Sequence, residues 1–188
     1  MQSEPVAVTL LVIQAMETLD VPYLIGGSLA SAVHGVVRTT LDTDLVADLS
    51  PEHAAPLVRA LGDAFYADAS AIEDAINRRS SFNLIHLETM FKVDVFIPKQ
   101  RAFDREQFER RAEQVIATDP ERMAYVASAE DIILAKLEWY QTGGQVSERQ
   151  CGIIESSMRL TNPSNPCAFV DADVLFAKVA APGKHCEC

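Results

Sequence analysis

The chain has 188 residues, enough for one domain with at most a small appendage, and its 48% hydrophobic and 23% charged residues match a soluble globular protein with an ordinary core. With 16 Lys and Arg against 27 Asp and Glu the formal net charge is −11, which argues against general nucleic-acid binding while leaving room for a local basic groove. No apolar run approaches the roughly 20 residues that a membrane-spanning helix needs, and Val6 to Ile13 has no basic stretch ahead of it, so no membrane association or signal peptide is expected and the cytoplasm is the expected location.

In chain order, Val8, Leu11, Val12, Ala15 and Leu19 recur at helical spacing and predict a helix over residues 6–19 with that stripe facing the core. Asp20-Val21-Pro22 ends it. Tyr23-Leu24-Ile25 reads as a buried strand, broken by Gly26-Gly27-Ser28 and followed by a small-residue helical pattern, Leu29 to Val33. After Gly35 come Arg38-Thr39-Thr40, then Asp42-Thr43-Asp44, then a second apolar run, Leu45-Val46-Ala47. Ser50-Pro51-Glu52 opens a helix, with Ser at the N-cap and Pro in the first turn, and Gly62 suits its end. A short strand at Phe65–Ala67 and a helix over Ala71–Arg79 follow.

Phe82–Leu87 alternates as a strand does, and Phe91–Ile97 repeats the pattern up to Pro98. The two are expected to form an antiparallel hairpin in the same sheet as Leu41–Leu49, with Val93, Val95 and Ile97 on one face and Lys92, Asp94 and Phe96 on the other. Phe103–Arg111 is a charged helix whose Arg105, Arg110 and Arg111 read as a solvated face beside Glu106 and Glu109. Gln114–Thr118 is a further short strand, with a turn at Asp119-Pro120. Ser128-Ala129-Glu130-Asp131 caps a helix that Gly143-Gly144 closes, and Ser147–Leu160 continues as another. Asn162 to Pro166 is a breaker cluster, and the tail beyond it has no sustained period.

Two features carry chemistry. Residues i and i+2 of a strand share a face about 6.5–7 Å apart, so Asp42 and Asp44 repel unless a proton or a cation lies between them. A hard divalent cation takes oxygen ligands, often one or two carboxylates plus substrate phosphates. The Gly26-Gly27-Ser28 turn lets backbone approach a ligand closely, and free N–H groups at a helix start attract phosphate. A Gly-Gly-Ser turn alone is an ordinary turn, and Asp-x-Asp alone is an ordinary strand end or cap. Together, in one strand-helix-strand unit, they point to metal-dependent chemistry on a nucleoside triphosphate. Asp94 adds to this, because an acid between Val93 and Val95 needs a partner, a cation or water; pairing with Lys92 is the ordinary alternative.

Residues 23–49 resemble the signature of the polymerase-beta-like nucleotidyltransferase superfamily: Gly-Gly-Ser at a helix start, then Asp-x-Asp on the next strand. The form Arg38-x-Thr40-x-Asp42-x-Asp44 is most similar to the small stand-alone group that includes abortive-infection-type nucleotidyltransferase toxins. The resemblance spans roughly residues 20–160. It implies an α+β fold with a mixed β-sheet flanked by helices, arranged as a core over 1–125 with a helical region over 126–160 packed on it; beyond the resemblance, residues 161–188 read as an irregular tail. It also implies two Mg²⁺ ions, transfer of a nucleotidyl group from an NTP to a hydroxyl, and release of pyrophosphate.

On this resemblance Asp42, Asp44 and Asp94 are the catalytic metal ligands, with Asp94 as the third carboxylate and the base toward the acceptor. Gly26, Gly27, Ser28, Arg38 and Lys136 contact the triphosphate. A lysine suits phosphate as a point charge on a flexible stem, although Lys136 also reads as an ordinary surface lysine. The acceptor stays open among an RNA end, a small molecule and a protein side chain. An antitoxin partner, or an inactive module of the same fold kept for binding or regulation, are alternatives. His34 reads as a packed or capping residue. The four cysteines, Cys151, Cys167, Cys186 and Cys188, do not form a disulfide framework, and His185 with Cys186 and Cys188 lacks zinc-module spacing.

Overall fold

The computed structural model describes residues 4–35 and 42–143. The chain divides into two units, Met1–Ser128 and Ala129–Cys188. The first contains helices α1 (Glu4–Thr18), α2 (Gly27–Val33), α3 (Ala54–Leu61), α4 (Ala69–Arg78) and α5 (Ala102–Arg110). Its strands are β1 (Tyr23–Ile25), β2 (Asp42–Ala47), β3 (Phe65–Tyr66), β4 (Ser81–His86), β5 (Lys92–Phe96), β6 (Ala112–Thr118) and β7 (Glu121–Val126). The second unit contributes α6 (Ala129–Gly143), on which Asp131, Ile132 and Ile133 are buried. Among the described residues no helix is long and apolar enough to cross a membrane.

The strands form one seven-stranded mixed sheet in the order β3-β4-β5-β2-β1-β7-β6. As the sequence predicts, β4 and β5 are an antiparallel pair in the same sheet as β2. β2 runs parallel to β5 and antiparallel to β1. Period-two burial fixes these registers: Phe82 and Leu84 of β4, Val93 and Val95 of β5, and Thr43, Leu45 and Ala47 of β2 are all buried. One residue of slip would turn that apolar set to the opposite face. α3 packs against both α1 and α4, with α1 on β2 and α4 on β4.

α4 is well delimited. The Asp68 carboxylate at its N-cap accepts from the Ser70 and Ala71 N–H groups at 2.8 and 3.1 Å, and Arg79 ends it in the left-handed region at φ 50°. Earlier in the chain Ser50 caps the helical turn Pro51–His53 that leads into α3, and its N–H donates to His53 Nδ1 at 3.1 Å.

Two expectations are corrected. Leu11 is 46% exposed rather than part of the buried stripe. The buried arc of α1 turns instead toward Thr9, Val12, Ile13 and Met16, since Thr9 can sit inside with its Oγ1 2.7 Å from the Pro5 carbonyl. Glu121–Val126, read as no element, is β7. Its polar first half gives no clear strand signal, and it is strand because β6 pairs with it along its length through the Asp119-Pro120 turn. Segments predicted beyond Gly143, including Ser147–Leu160 and the tail, lie outside the described residues.

Leu84 is fully buried in β4. Leu84→Ala should lower unfolding stability by about 2–5 kcal/mol in urea titration, with little change in slope. A loss under about 1 kcal/mol would contradict the register that places it inside.

Candidate active site

The site grows from the alternation of β2. Asp42, Asp44 and Val46 share its half-buried face, while Thr43, Leu45 and Ala47 point into the core. Thr43 keeps its hydroxyl satisfied there: Thr9 Oγ1 of α1 lies 3.1 Å away. A polar Asp-Thr-Asp run therefore fits a core strand without an orphaned hydroxyl, and both carboxylates are delivered to the other face.

The parallel pairing of β2 with β5 sets Asp44 abreast of Asp94 and Asp42 abreast of Lys92. In-register residues on neighbouring strands share a face at a strand spacing of roughly 4.8 Å. On the far side of β5, antiparallel pairing sets Asn83 of β4 abreast of Asp94. A rung of Asp44, Asp94 and Asn83 thus crosses the sheet beside a rung of Asp42 and Lys92. Phe96, 42% exposed, follows Asp94 two residues on and on the same face.

Within this group Lys92 Nζ lies 2.8 Å from Asp94 Oδ2. The other oxygen, Asp94 Oδ1, is buried and has no hydrogen-bond partner among the described residues. The ammonium of Lys92 is held above its ordinary range chiefly by the hydrogen bond to Asp94; burial opposes this, and the charges of Asp94, Asp42 and Asp44 add to it. The ordinary pairing of Asp94 with Lys92 is therefore present, yet it satisfies one oxygen of the carboxylate and leaves the other bare.

The glycine turn is built against the same carboxylates. The Gly26 N–H donates to the Asp44 carbonyl at 2.9 Å, and the Gly26 carbonyl accepts from the Ala30 N–H at 3.1 Å to start α2. Gly27 has φ +55°, where a side chain is strained, and a Cβ built there would fall 2.7 Å from Asp44 Cγ. Gly27 is thus glycine for two reasons at once, its backbone angle and the carboxylate packed on it. Ser28 is half-buried at the helix start. Ser31 donates its hydroxyl to the Gly27 carbonyl at 2.8 Å, and His34 caps α2 with Nε2 2.9 Å from the Ala127 carbonyl, a structural role.

Arg38 lies outside the described residues. Lys136 sits half-buried on α6, in the second unit. Among the described residues no three His, Cys, Asp or Glu side chains are gathered as a ready metal site. The donor set nevertheless fits a hard divalent cation. Asp44 and Asp94 stand abreast, and Asp94 is an anionic acceptor that hydrogen bonding satisfies at one oxygen only, as a ligand of such an ion can be. Sequence reasoning placed Lys92 and Asp94 on one face but did not find Asn83 as a neighbour of Asp94. A polar residue amid Phe82 and Leu84 was the available signal.

No family model and no curated protein sequence matches the chain. Solved structures do resemble it. A crystal structure of ANT(2")-Ia in complex with adenylyl-2"-tobramycin aligns with a TM-score of 0.59 at 15% identity, over 94% of this chain and 97% of that one. The lincosamide antibiotic adenylyltransferase LnuA, lincomycin-bound, aligns at 0.52 and 16% identity, over 85% and 98%. An antigenic nucleotidyltransferase-like protein from Paracoccidioides brasiliensis aligns at 0.57 and 20% identity, over 95% and 90%. The mixed sheet that carries Asp42, Asp44 and Asp94 thus has the fold of these nucleotidyltransferases, in accord with the polymerase-beta-like resemblance of residues 23–49.

Proposed function

We propose that this chain is a Mg²⁺-dependent nucleotidyltransferase that moves an NMP group from an NTP to a hydroxyl of a small molecule and releases pyrophosphate. The observation that carries this reading is the rung of Asp44 and Asp94, with the Gly27 turn packed directly on Asp44. Two carboxylates abreast beside a glycine turn supply the oxygen ligands that a hard divalent cation takes together with substrate phosphates.

Asp42, Asp44 and Asp94 would hold the metal, and when bound it would supply charge neutralisation for the phosphates and for the departing pyrophosphate. The chain's own groups do the rest. The Gly27-Ser28 backbone lies along the phosphates. Gly26, whose N–H is engaged with Asp44, fixes that turn to β2. Arg38 and Lys136 are assigned to the triphosphate on the family resemblance. The acceptor hydroxyl oxygen attacks the α-phosphorus, and the bond to the pyrophosphate oxygen breaks. The hydroxyl proton passes to Asp94 Oδ1, the buried oxygen left unpartnered among the described residues.

A small-molecule acceptor is favoured over an RNA end on two grounds. The net charge of −11 repels a polyanion. Two of the structural neighbours are complexes with adenylyl-2"-tobramycin and with lincomycin. The toxin reading, with RNA as substrate and an antitoxin as partner, has no comparable support.

Calorimetric titration of Mg²⁺ with each of ATP, CTP, GTP and UTP should give Mg²⁺-dependent binding of at least one nucleotide. Asp42→Asn/Asp44→Asn should weaken it by at least about tenfold. Absence of binding by any NTP in the unaltered chain would sink the enzyme reading.

Gly27→Ala should lower stability by about 1–3 kcal/mol and weaken Mg²⁺–NTP binding by displacing Asp44. Adding Asp44→Ala should recover part of the stability, because the crowded carboxylate is gone, but none of the binding. Additive stability losses in this double-mutant cycle would show that Gly27 and Asp44 are not in contact.

A further inference from the structure

Lys92 is not among the residues that the reading above employs, yet its ammonium is the described cation on Asp94. It touches Oδ2 alone, at 2.8 Å, and leaves the buried Oδ1 bare. An arginine can grip a carboxylate through two parallel hydrogen bonds, whereas a lysine is a single point charge on a flexible stem with three rotatable donors. The two side chains also differ in exposure, 39% for Lys92 and 15% for Asp94, so the cationic end has a way out to solvent while the carboxylate does not. Register places Asp42 abreast of Lys92, so Lys92 neighbours an acid of its own rung while its ammonium pairs with Asp94 of the next.

We propose that Lys92 is an exchangeable counter-ion: it neutralises the carboxylate group before substrate arrives, yields Asp94 Oδ2 to the incoming divalent ion, and transfers its ammonium to a phosphate oxygen of the nucleotide. This role rests on the metal-dependent reading above. It makes Lys92 a positioning residue with a thermodynamic signature. Metal alone must displace an ion pair, so it binds weakly. Metal with nucleotide binds well, because the displaced ammonium gains a new anionic partner. Binding of the two is thereby coupled through one side chain.

The test is calorimetric titration of Mn²⁺ into the full chain, with and without a non-hydrolysable ATP analogue. Lys92→Met, which keeps the stem and removes the charge, should bind Mn²⁺ alone about tenfold more tightly than the unaltered chain. The tightening of Mn²⁺ by the nucleotide analogue should shrink by a similar factor. Lys92→Arg, which retains a cation on Asp94, should not gain Mn²⁺ affinity. Without metal, Lys92→Met should also melt at a lower temperature, and Mn²⁺ should restore it. Lys92→Gln serves if the Met variant fails to fold by circular dichroism. Unchanged or weaker Mn²⁺ binding in the charge-free variant, with the unaltered chain binding normally, would overturn the role of Lys92 and leave the proposed function standing. If neither chain takes up Mn²⁺, the metal-dependent reading itself falls, and this role with it.

Discussion

Two carboxylates on neighbouring parallel strands, Asp44 of β2 and Asp94 of β5, stand in register on one face of the sheet. At a strand spacing, two such charges repel by about 3 kcal/mol at an effective dielectric constant near 20. The fold does not avoid this by register, because shifting either strand by one residue would turn Leu45 and Val95, both fully buried, out of the core. Hydrophobic burial on one face therefore enforces electrostatic crowding on the other. The ammonium of Lys92 relieves part of it through Asp94 Oδ2.

The glycine turn depends on the same constraint. Because β1 is antiparallel to β2, the end of β1 meets the start of β2, and the chain leaves β1 directly beside Asp44. Gly26 ties the turn to the Asp44 backbone, and Gly27 lies against its carboxylate. Any residue with a Cβ at position 27 would move the acid that defines the site. Backbone path and side-chain chemistry are thus fixed by one contact, and the helix that follows is aimed by that contact rather than by a side-chain cap, which Gly26 does not have.

The sheet also gives the two sides of the carboxylate rung different neighbours. The glycine turn occupies the β1 side of the carboxylate rung, and the β4 side carries Asn83, exposed and abreast of Asp94, with Phe96 nearby on β5. Under the proposed function, the phosphates would take the first side and the hydroxyl-bearing acceptor the second. An aromatic face and an amide beside the carboxylates suit a partly apolar, hydrogen-bonding molecule better than a polyanion.

By itself the sequence determined what local periodicity and backbone chemistry can determine. Period-two runs announced β4 and β5 and the faces of Lys92, Asp94 and Phe96, and the glycine pair announced the break between β1 and α2. Ser50 and Gly62 marked α3's surroundings because caps are local. The tertiary structure decided everything that depends on partners distant along the chain. It set which residue of β5 lies abreast of Asp44, brought Asn83 beside Asp94, and left one Asp94 oxygen on Lys92 and the other bare. It made a strand of Glu121–Val126 through pairing with β6, and it turned α1 so that Leu11 faces outward while Thr9 meets Thr43. The physical reason is common to all of these. Side-chain period is a property of one strand or helix, whereas register and packing angle are settled only when several elements bury their apolar faces together.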